Sequence, residues 1–277
     1  MASDGEGEGR AMRSNGWTTR SEERSKREIE AGEGDGAAAA PTRNVLVAFT
    51  GSVASIKAVE MVTKLRAKGF AVKACYTSSA ARFFDAADLP LDPADVHGDD
   101  DEWRRWSGKG DPVLHVELRR WADVFLVAPL SANTLAKMAN GLSDNLVACV
   151  FRCWDFTDER KRVIVAPAMN TWMYESPFTT KHLNTLAALC NMRPPEGRYR
   201  NPAIEILEPI EKTLACGEVG DGAMQEVDDV VDAVDRALLR MHLRGEGMDT
   251  PFGLGGVDKM VNGPPPPEYA YPMNKGR

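Results

Sequence analysis

The chain has 277 residues, 43% of them hydrophobic and 27% charged, with a formal net charge of −7 and a pI near 5.3. That balance is ordinary for a globular protein and argues against nucleic acid as a partner, which calls for a basic face. No run reaches the roughly 20 apolar residues that span a bilayer, so no membrane partner is expected.

Residues 1–42 mix Gly, Ser and charge and hold one aromatic, Trp17. Such a segment cannot bury enough surface to offset the entropy of ordering, so a disordered tail is expected. It lacks the apolar region of a secretory signal. Nine acids against six bases make it too acidic for a transit peptide. A second tail is expected over 245–277, which carries seven Gly and six Pro, including Pro264 to Pro267. Between them, 43–244 is long enough for one domain.

Within that domain the pattern alternates. Asn44 to Thr50 reads as a strand buried on both faces. Val53 to Lys68 reads as a helix with Ile56, Val59, Val62 and Leu65 on its inner face, ended by Gly69. Phe70 to Tyr76 is a second strand, and Ser79 to Phe84 a short helix. The acidic run Asp95 to Glu102, with His97, reads as a solvated loop. Asp123 to Ala128 is a third, central strand. Helices follow at 132–140 and 144–154, split by Gly141. Val163 to Pro167 is a fourth strand, Phe178 to Cys190 a helix, Ile204 to Leu207 a short strand, and Val227 to Leu243 a closing helix. Alternation of this kind implies a three-layer α/β sandwich with a parallel sheet, whose ligands bind at the carboxyl ends of the strands.

The residues just after each apolar run are therefore the informative ones. Gly51 permits a tight turn after the first strand, and Ser52 can cap a helix whose free N–H groups suit a phosphate. This is neither GxGxxG nor a Walker loop. Thr77-Ser78-Ser79 and Ser131-Ala132-Asn133-Thr134 are hydroxyl-rich helix starts, where capping explains the residues as well as ligand binding does. Asn170 stands among Met169, Trp172, Met173 and Tyr174. A core accounts for those neighbours but not for an amide that would be costly if left unpaired. The segment 214–224 has three glycines in six residues, which excludes a helix or a central strand and reads as a flexible loop around Cys216. His115 has the residue type of a general base, although on spacing alone a lone His is more often structural. His182 and His242 read as helix-surface residues. The five cysteines (Cys75, Cys149, Cys153, Cys190, Cys216) are scattered and show no CxxC or Cys/His spacing. Neither disulfides nor a metal site is expected, and a reducing, cytoplasmic setting is.

Six ordered segments taken together resemble the flavin-dependent cysteine decarboxylases, in particular the eukaryotic phosphopantothenoylcysteine decarboxylases and halotolerance-type proteins. They are Gly51 to Lys57, Gly110 to Asp123, Ala128 to Thr134, Asp144 to Leu146, Pro167 to Thr171 and Leu214 to Gly217. The resemblance implies a flavodoxin-like fold, bound FMN, and decarboxylation of 4′-phospho-N-pantothenoylcysteine to 4′-phosphopantetheine in coenzyme A synthesis. In that family chemistry the substrate cysteine is oxidised to a thioaldehyde, carbon dioxide leaves, and the ene-thiolate is reduced again. By position the resemblance makes His115 the base, Asn170 the holder of the substrate carboxylate and Cys216 the proton donor. It places Gly51, Ser52, Val53, Thr77, Ser78, Ser79, Ser131, Ala132, Asn133, Thr134 and Ala168 at FMN, and Lys212 and Ala215 at substrate. It also implies a homotrimer with active sites between subunits. The chain departs from the family pattern at Tyr174, where a Trp is usual, and at Thr213, where a second base is usual. Met192 to Ala203 resembles an insertion. A non-catalytic role as a phosphatase-inhibiting regulatory subunit is the alternative that halotolerance-type relatives imply, and another cysteine-containing substrate is a further one.

Overall fold

The computed structural model describes residues 43–104, 106–156, 158, 160–189, 204–213 and 219–245. The expected tails (apart from Gly245), the 192–203 segment, Ala215 and Cys216 lie outside the described residues. In chain order the elements are β1 (Asn44–Phe49), a 3-10 stretch (Val53–Lys57) running into α1 (Ala58–Ala67), β2 (Ala71–Tyr76), β3 (Val96–Gly98), α2 (Asp101–Arg104) and α3 (Leu114–Trp121). Then come β4 (Val124–Leu130), α4 (Ala132–Asn140), α5 (Leu146–Arg152), β5 (Arg162–Pro167), α6 (Thr171–Tyr174) and α7 (Pro177–Leu189). The last are β6 (Ile204–Ile206), the hairpin β7 (Ile210–Thr213) with β8 (Val219–Ala223), and α8 (Val227–Gly245).

Six strands form one parallel sheet in the order β3-β2-β1-β4-β5-β6. This is the Rossmann-like arrangement within the expected three-layer α/β class, and its strand order reverses between β1 and β4. Alternation along β1 explains both layers. Val45, Val47 and Phe49 face α1 and α8, where Met61, Val62, Leu65, Val230 and Val234 cover them. Leu46 and Ala48 face the other way, onto a layer holding Leu118, Leu135, Val147, Val150 and Leu186. Both faces are sealed, which is why the strand reads as an unbroken apolar run.

Three expectations are corrected. The run Asp95 to Glu102 is not a solvated loop: it contains β3 and the start of α2, with His97 2% and Glu102 8% exposed. The first helix buries Ala58, Met61, Val62 and Leu65, whereas Ile56 is 62% and Val59 37% exposed. Its opening turn is 3-10, with three residues per turn, so the apolar stripe is out of phase there. Of the Gly-rich stretch, Val219–Ala223 is an edge strand of a hairpin outside the main sheet. Edge pairing tolerates glycines that a central strand would not.

Where the strand order reverses, Thr50 joins the two neighbouring strand ends. Its buried Oγ1 donates to Pro129 O (2.7 Å) and accepts from Ser131 N (2.8 Å). The β4–β5 register shifts between Val127 and Leu130, where the Ala128–Pro129 bond is cis, so these backbone groups stand outside the regular ladder. A Thr50→Val substitution keeps the shape and orphans both groups, each costing roughly 1–3 kcal/mol when buried. Urea unfolding under one set of conditions is expected to show a loss of about 2 kcal/mol or more, with Thr50→Ser recovering most of it.

Candidate active site

Four loops meet at the carboxyl edge of the sheet. After β1, Ser52 accepts from Ala54 N and caps the 3-10 start of the first helix. After β2, the hydroxyl of buried Thr77 accepts from Ala80 N, and Ser78 donates both its N–H (2.8 Å) and its hydroxyl (2.6 Å) to Asp99 Oδ2. After β4, Ser131 caps α4 by accepting from Thr134 N, and its hydroxyl reaches Thr134 Oγ1 at 3.2 Å. After β5, buried Ala168 donates its N–H to Leu130 O at 2.9 Å. Thr77, Ser131 and Thr134 are thus buried, the first two as caps, while Gly51, Val53, Ser78, Ser79 and Asn133 are exposed and Ser52 and Ala132 half-buried.

The first two loops touch at Gly51. A Cβ there would stand 2.7 Å from Ser79 Cβ, so only glycine permits the approach. Asp99 fastens the second loop from the other side, since its Oδ1 also accepts from Leu146 N at the start of α5, where Asn145 supplies the cap. Sequence reading missed Asp99 because it sits in an acidic run taken for solvated surface. The signal that marks it is its place just past a strand end.

The remaining predicted residues lie on two further elements. His115 is in the first turn of α3, and its Nδ1 lies 2.5 Å from Glu102 Oε1. Its carbonyl accepts from Cys153 Sγ (3.8 Å). Burial holds the Cys149 thiol up to about 11 and raises Cys153 as well, so both stay neutral near neutral pH. Asn170 is exposed and caps α6, its Oδ1 accepting from Met173 N at 2.9 Å. That leaves its amide NH2 without a partner among the described residues. Trp172 (75%) and Met173 (50%) are exposed, so the surroundings of Asn170 are a surface rather than a core. The β7/β8 hairpin packs on this segment through Met169 N to Gly222 O (2.9 Å). Gly222 has φ +128°, and a Cβ on it would fall 2.6 Å from Met169 O, so a side chain there is excluded twice over. No hydrogen bond joins His115 to Asn170 among the described residues. Lys212, expected at substrate, has its ammonium on Glu226 Oε1 (2.6 Å), whose Oε2 also binds Lys57 (3.0 Å). Cys216 and Ala215 belong to the link between β7 and β8 and lie outside the described residues.

A Rossmann-like sheet whose switch-point crevice offers a helix start and hydroxyl loops defines a protein built to hold a phosphorylated cofactor. A family model described as Flavoprotein matches residues 37–239, and the chain belongs to that family. Within it, phosphopantothenoylcysteine decarboxylase of Oryza sativa subsp. japonica is 45% identical over 199 residues, covering 72% of this chain and 82% of the relative. The enzyme of the same name from Mus musculus is 42% identical over 199 residues, covering 72% and 88%. Among solved structures, a cysteine-to-serine mutant of PPC decarboxylase complexed with pantothenoylaminoethenethiol superposes with a TM-score of 0.61 at 44% identity, covering 70% of this chain and 97% of that one. The FMN-binding protein AtHal3 gives a TM-score of 0.58 at 44% identity, covering 70% and 96%.

Two outcomes are expected at this site. Gly51→Ala forces the loops after β1 and β2 apart and lowers the amount of flavin that co-purifies, read from the visible absorbance per mole of folded protein. The pair of lysines on Glu226, Lys212 first, holds its carboxyl down to about 2. A carboxyl depressed in the folded state stabilises above its unfolded value near 4.5, and that contribution is lost as pH falls toward about 2. Glu226→Gln is therefore less stable than wild type at neutral pH in thermal melts, and the gap closes between pH 4.5 and pH 2.

Proposed function

We propose that this chain is an FMN-dependent phosphopantothenoylcysteine decarboxylase, converting 4′-phospho-N-pantothenoylcysteine to 4′-phosphopantetheine in coenzyme A biosynthesis. The observation that carries the reading is the crevice where β1 and β4 diverge, closed on one side by bare Gly51 and opened by a capped helix start. It fits the phosphate end of FMN, with Ser52 and Ser79 supplying hydroxyls while Asp99 holds that of Ser78, and exposed Val53 an apolar face for a ring. The relatives carry this enzyme's name over four fifths or more of their length.

Bound FMN supplies the two-electron acceptor and donor that oxidation and re-reduction of the substrate cysteine require. The chain's own residues bind, orient and move protons. His115 offers one ring nitrogen as the base, because the other is taken by Glu102. Asn170 offers its amide NH2, without a partner among the described residues, to the substrate carboxylate. Cys216 has the residue type to return a proton to the ene-thiolate carbon, and the solved complex of a cysteine mutant with an ene-thiol supports a thiol in that step. Lys212 reaches the substrate only by leaving Glu226.

We further propose a homotrimer with active sites between subunits, in the cytoplasm. Two patches support the assembly: Trp172, Met173 and Phe178 (72% exposed) beside Asn170, and Trp103 (75%), Trp106 (52%) and Val113 (36%) near His115 in sequence. Exposed apolar groups of this size favour burial against a partner. No hydrogen bond joins His115 to Asn170 among the described residues, which fits a site completed by a neighbour. The free thiols of Cys75, Cys149 and Cys153 support a reducing compartment.

Purified protein is expected to be yellow and to release carbon dioxide from phosphopantothenoylcysteine. His115→Asn should keep the flavin spectrum and lose turnover by at least about a hundredfold. Full activity in that variant would sink the assignment of the base, and light scattering at a monomer mass would sink the trimer.

A further inference from the structure

His115 does not stand alone, and its partner lies on α2 just past the end of β3. Glu102 lies on α2, and its side chain is 7% exposed, against 25% for His115. Its Oε1 is 2.5 Å from His115 Nδ1, and its Oε2 is buried with no hydrogen-bond partner among the described residues. A buried carboxylate with one unused oxygen is costly, and surface stability alone gives no reason to keep it. Its placement is nonetheless fixed from both sides. Asp101 beside it accepts from Gly98 N (2.7 Å), which seats α2 against the end of β3. The far end of α3 is held by Lys161, whose ammonium donates to Arg119 O (3.0 Å) and Ala122 O (2.5 Å). The other groups beside the pair are the neutral thiols of Cys149 on α5 and Cys153 just past its end, and the Arg119–Asp155 ion pair (3.5 Å). None of them competes for the Nδ1 proton.

We propose that Glu102 is the positioning residue of His115. An ionised carboxylate only accepts, so the nitrogen facing it carries the proton. In the neutral ring this fixes the Nδ1–H tautomer and leaves Nε2 as the sole lone pair available to substrate. The carboxylate also locks the ring's rotation at the first turn of a short helix, where it is otherwise free to swing. The arrangement has the logic of a base oriented by a third group. It rests on the reading of His115 as the base.

Holoenzyme carrying Glu102→Leu, Glu102→Gln or Glu102→Asp tests it. Each is measured for flavin content, kcat, KM and the nitrogen-15 shifts of the His115 ring above its titration. Glu102→Leu is expected to keep flavin and KM, to lose about 10- to 100-fold in kcat, and to move its ring away from the Nδ1–H tautomer. Glu102→Gln keeps an acceptor of the same reach, so its tautomer stays with Nδ1–H and its kcat within about tenfold of wild type. If Glu102→Leu fails to fold, Glu102→Gln and Glu102→Asp decide, because both keep an acceptor and both must retain the tautomer. A wild-type kcat in Glu102→Leu, a ring tautomer unchanged in it, or a lost tautomer in Glu102→Gln overturns the proposal. Full turnover in His115→Asn instead overturns the base assignment, while the ring shifts still report whether Glu102 sets the tautomer.

Discussion

The buried hydroxyl of Thr50 sits where the sheet is weakest as a hydrogen-bonded object. At the β1–β4 boundary the chain leaves in opposite directions on the two sides, so the strand ends splay and their last backbone groups lose ladder partners. The register shift after Val127 removes more of them. Thr50 supplies a donor and an acceptor to Pro129 O and Ser131 N at once. A backbone group left alone there would cost roughly 1–3 kcal/mol, a sizeable share of a domain's net stability. The loops after β1 and β4 are thereby tied to each other by hydrogen bonds at the switch-point crevice.

The functional elements divide around that crevice. The hydroxyl loops that suit a phosphate are tied to the sheet by backbone and cap bonds, with Asp99 bridging the loop after β2 to the start of α5. The residues proposed for base and carboxylate-holding roles ride on other elements: His115 in the first turn of α3, and Asn170 at the cap of a four-residue helix against which the β7/β8 hairpin packs through Met169. Placement on the sheet edge suits a cofactor that must be held, and placement on separate surface elements suits groups that admit a substrate and exchange protons with it. The same division explains why the exposed aromatics gather on the second group and not on the first.

The long apolar runs made most of the fold legible. β1, β4 and β5 are buried on both faces and carry unbroken hydrophobic stretches, and α4 and α8 carry clear caps or stripes. What escaped has a physical cause in each case. β3 is three residues long inside an acidic run, so composition masks a strand whose only need is backbone pairing with β2. Glu102 and Asp99 are acids with inward roles, and no periodicity separates an inward carboxylate from a solvated one. The first helix opens with a 3-10 turn, which shifts its apolar stripe out of the phase that α-helical spacing assumes. For the site, the residues whose role is to cap or turn were readable by position after each strand. The partners that orient them were not, because those contacts join residues 13 to 81 positions apart.

Charge poses the last constraint. A chain of net charge −7 must hold a phosphorylated, carboxylate-bearing substrate. At physiological salt the screening length is about 8 Å, so distant acids act weakly on a ligand in the crevice and the local groups decide. Near the described site those are mostly dipoles: helix starts, serine hydroxyls and the Asn170 amide. The nearest cations are already paired, since Lys57 and Lys212 share Glu226. A dipolar site costs less to desolvate than one lined with free lysines and does not bind simple anions tightly. Since those hydroxyl loops are the proposed seat of FMN, the Asn170 amide is what the described site keeps for the substrate's carboxylate.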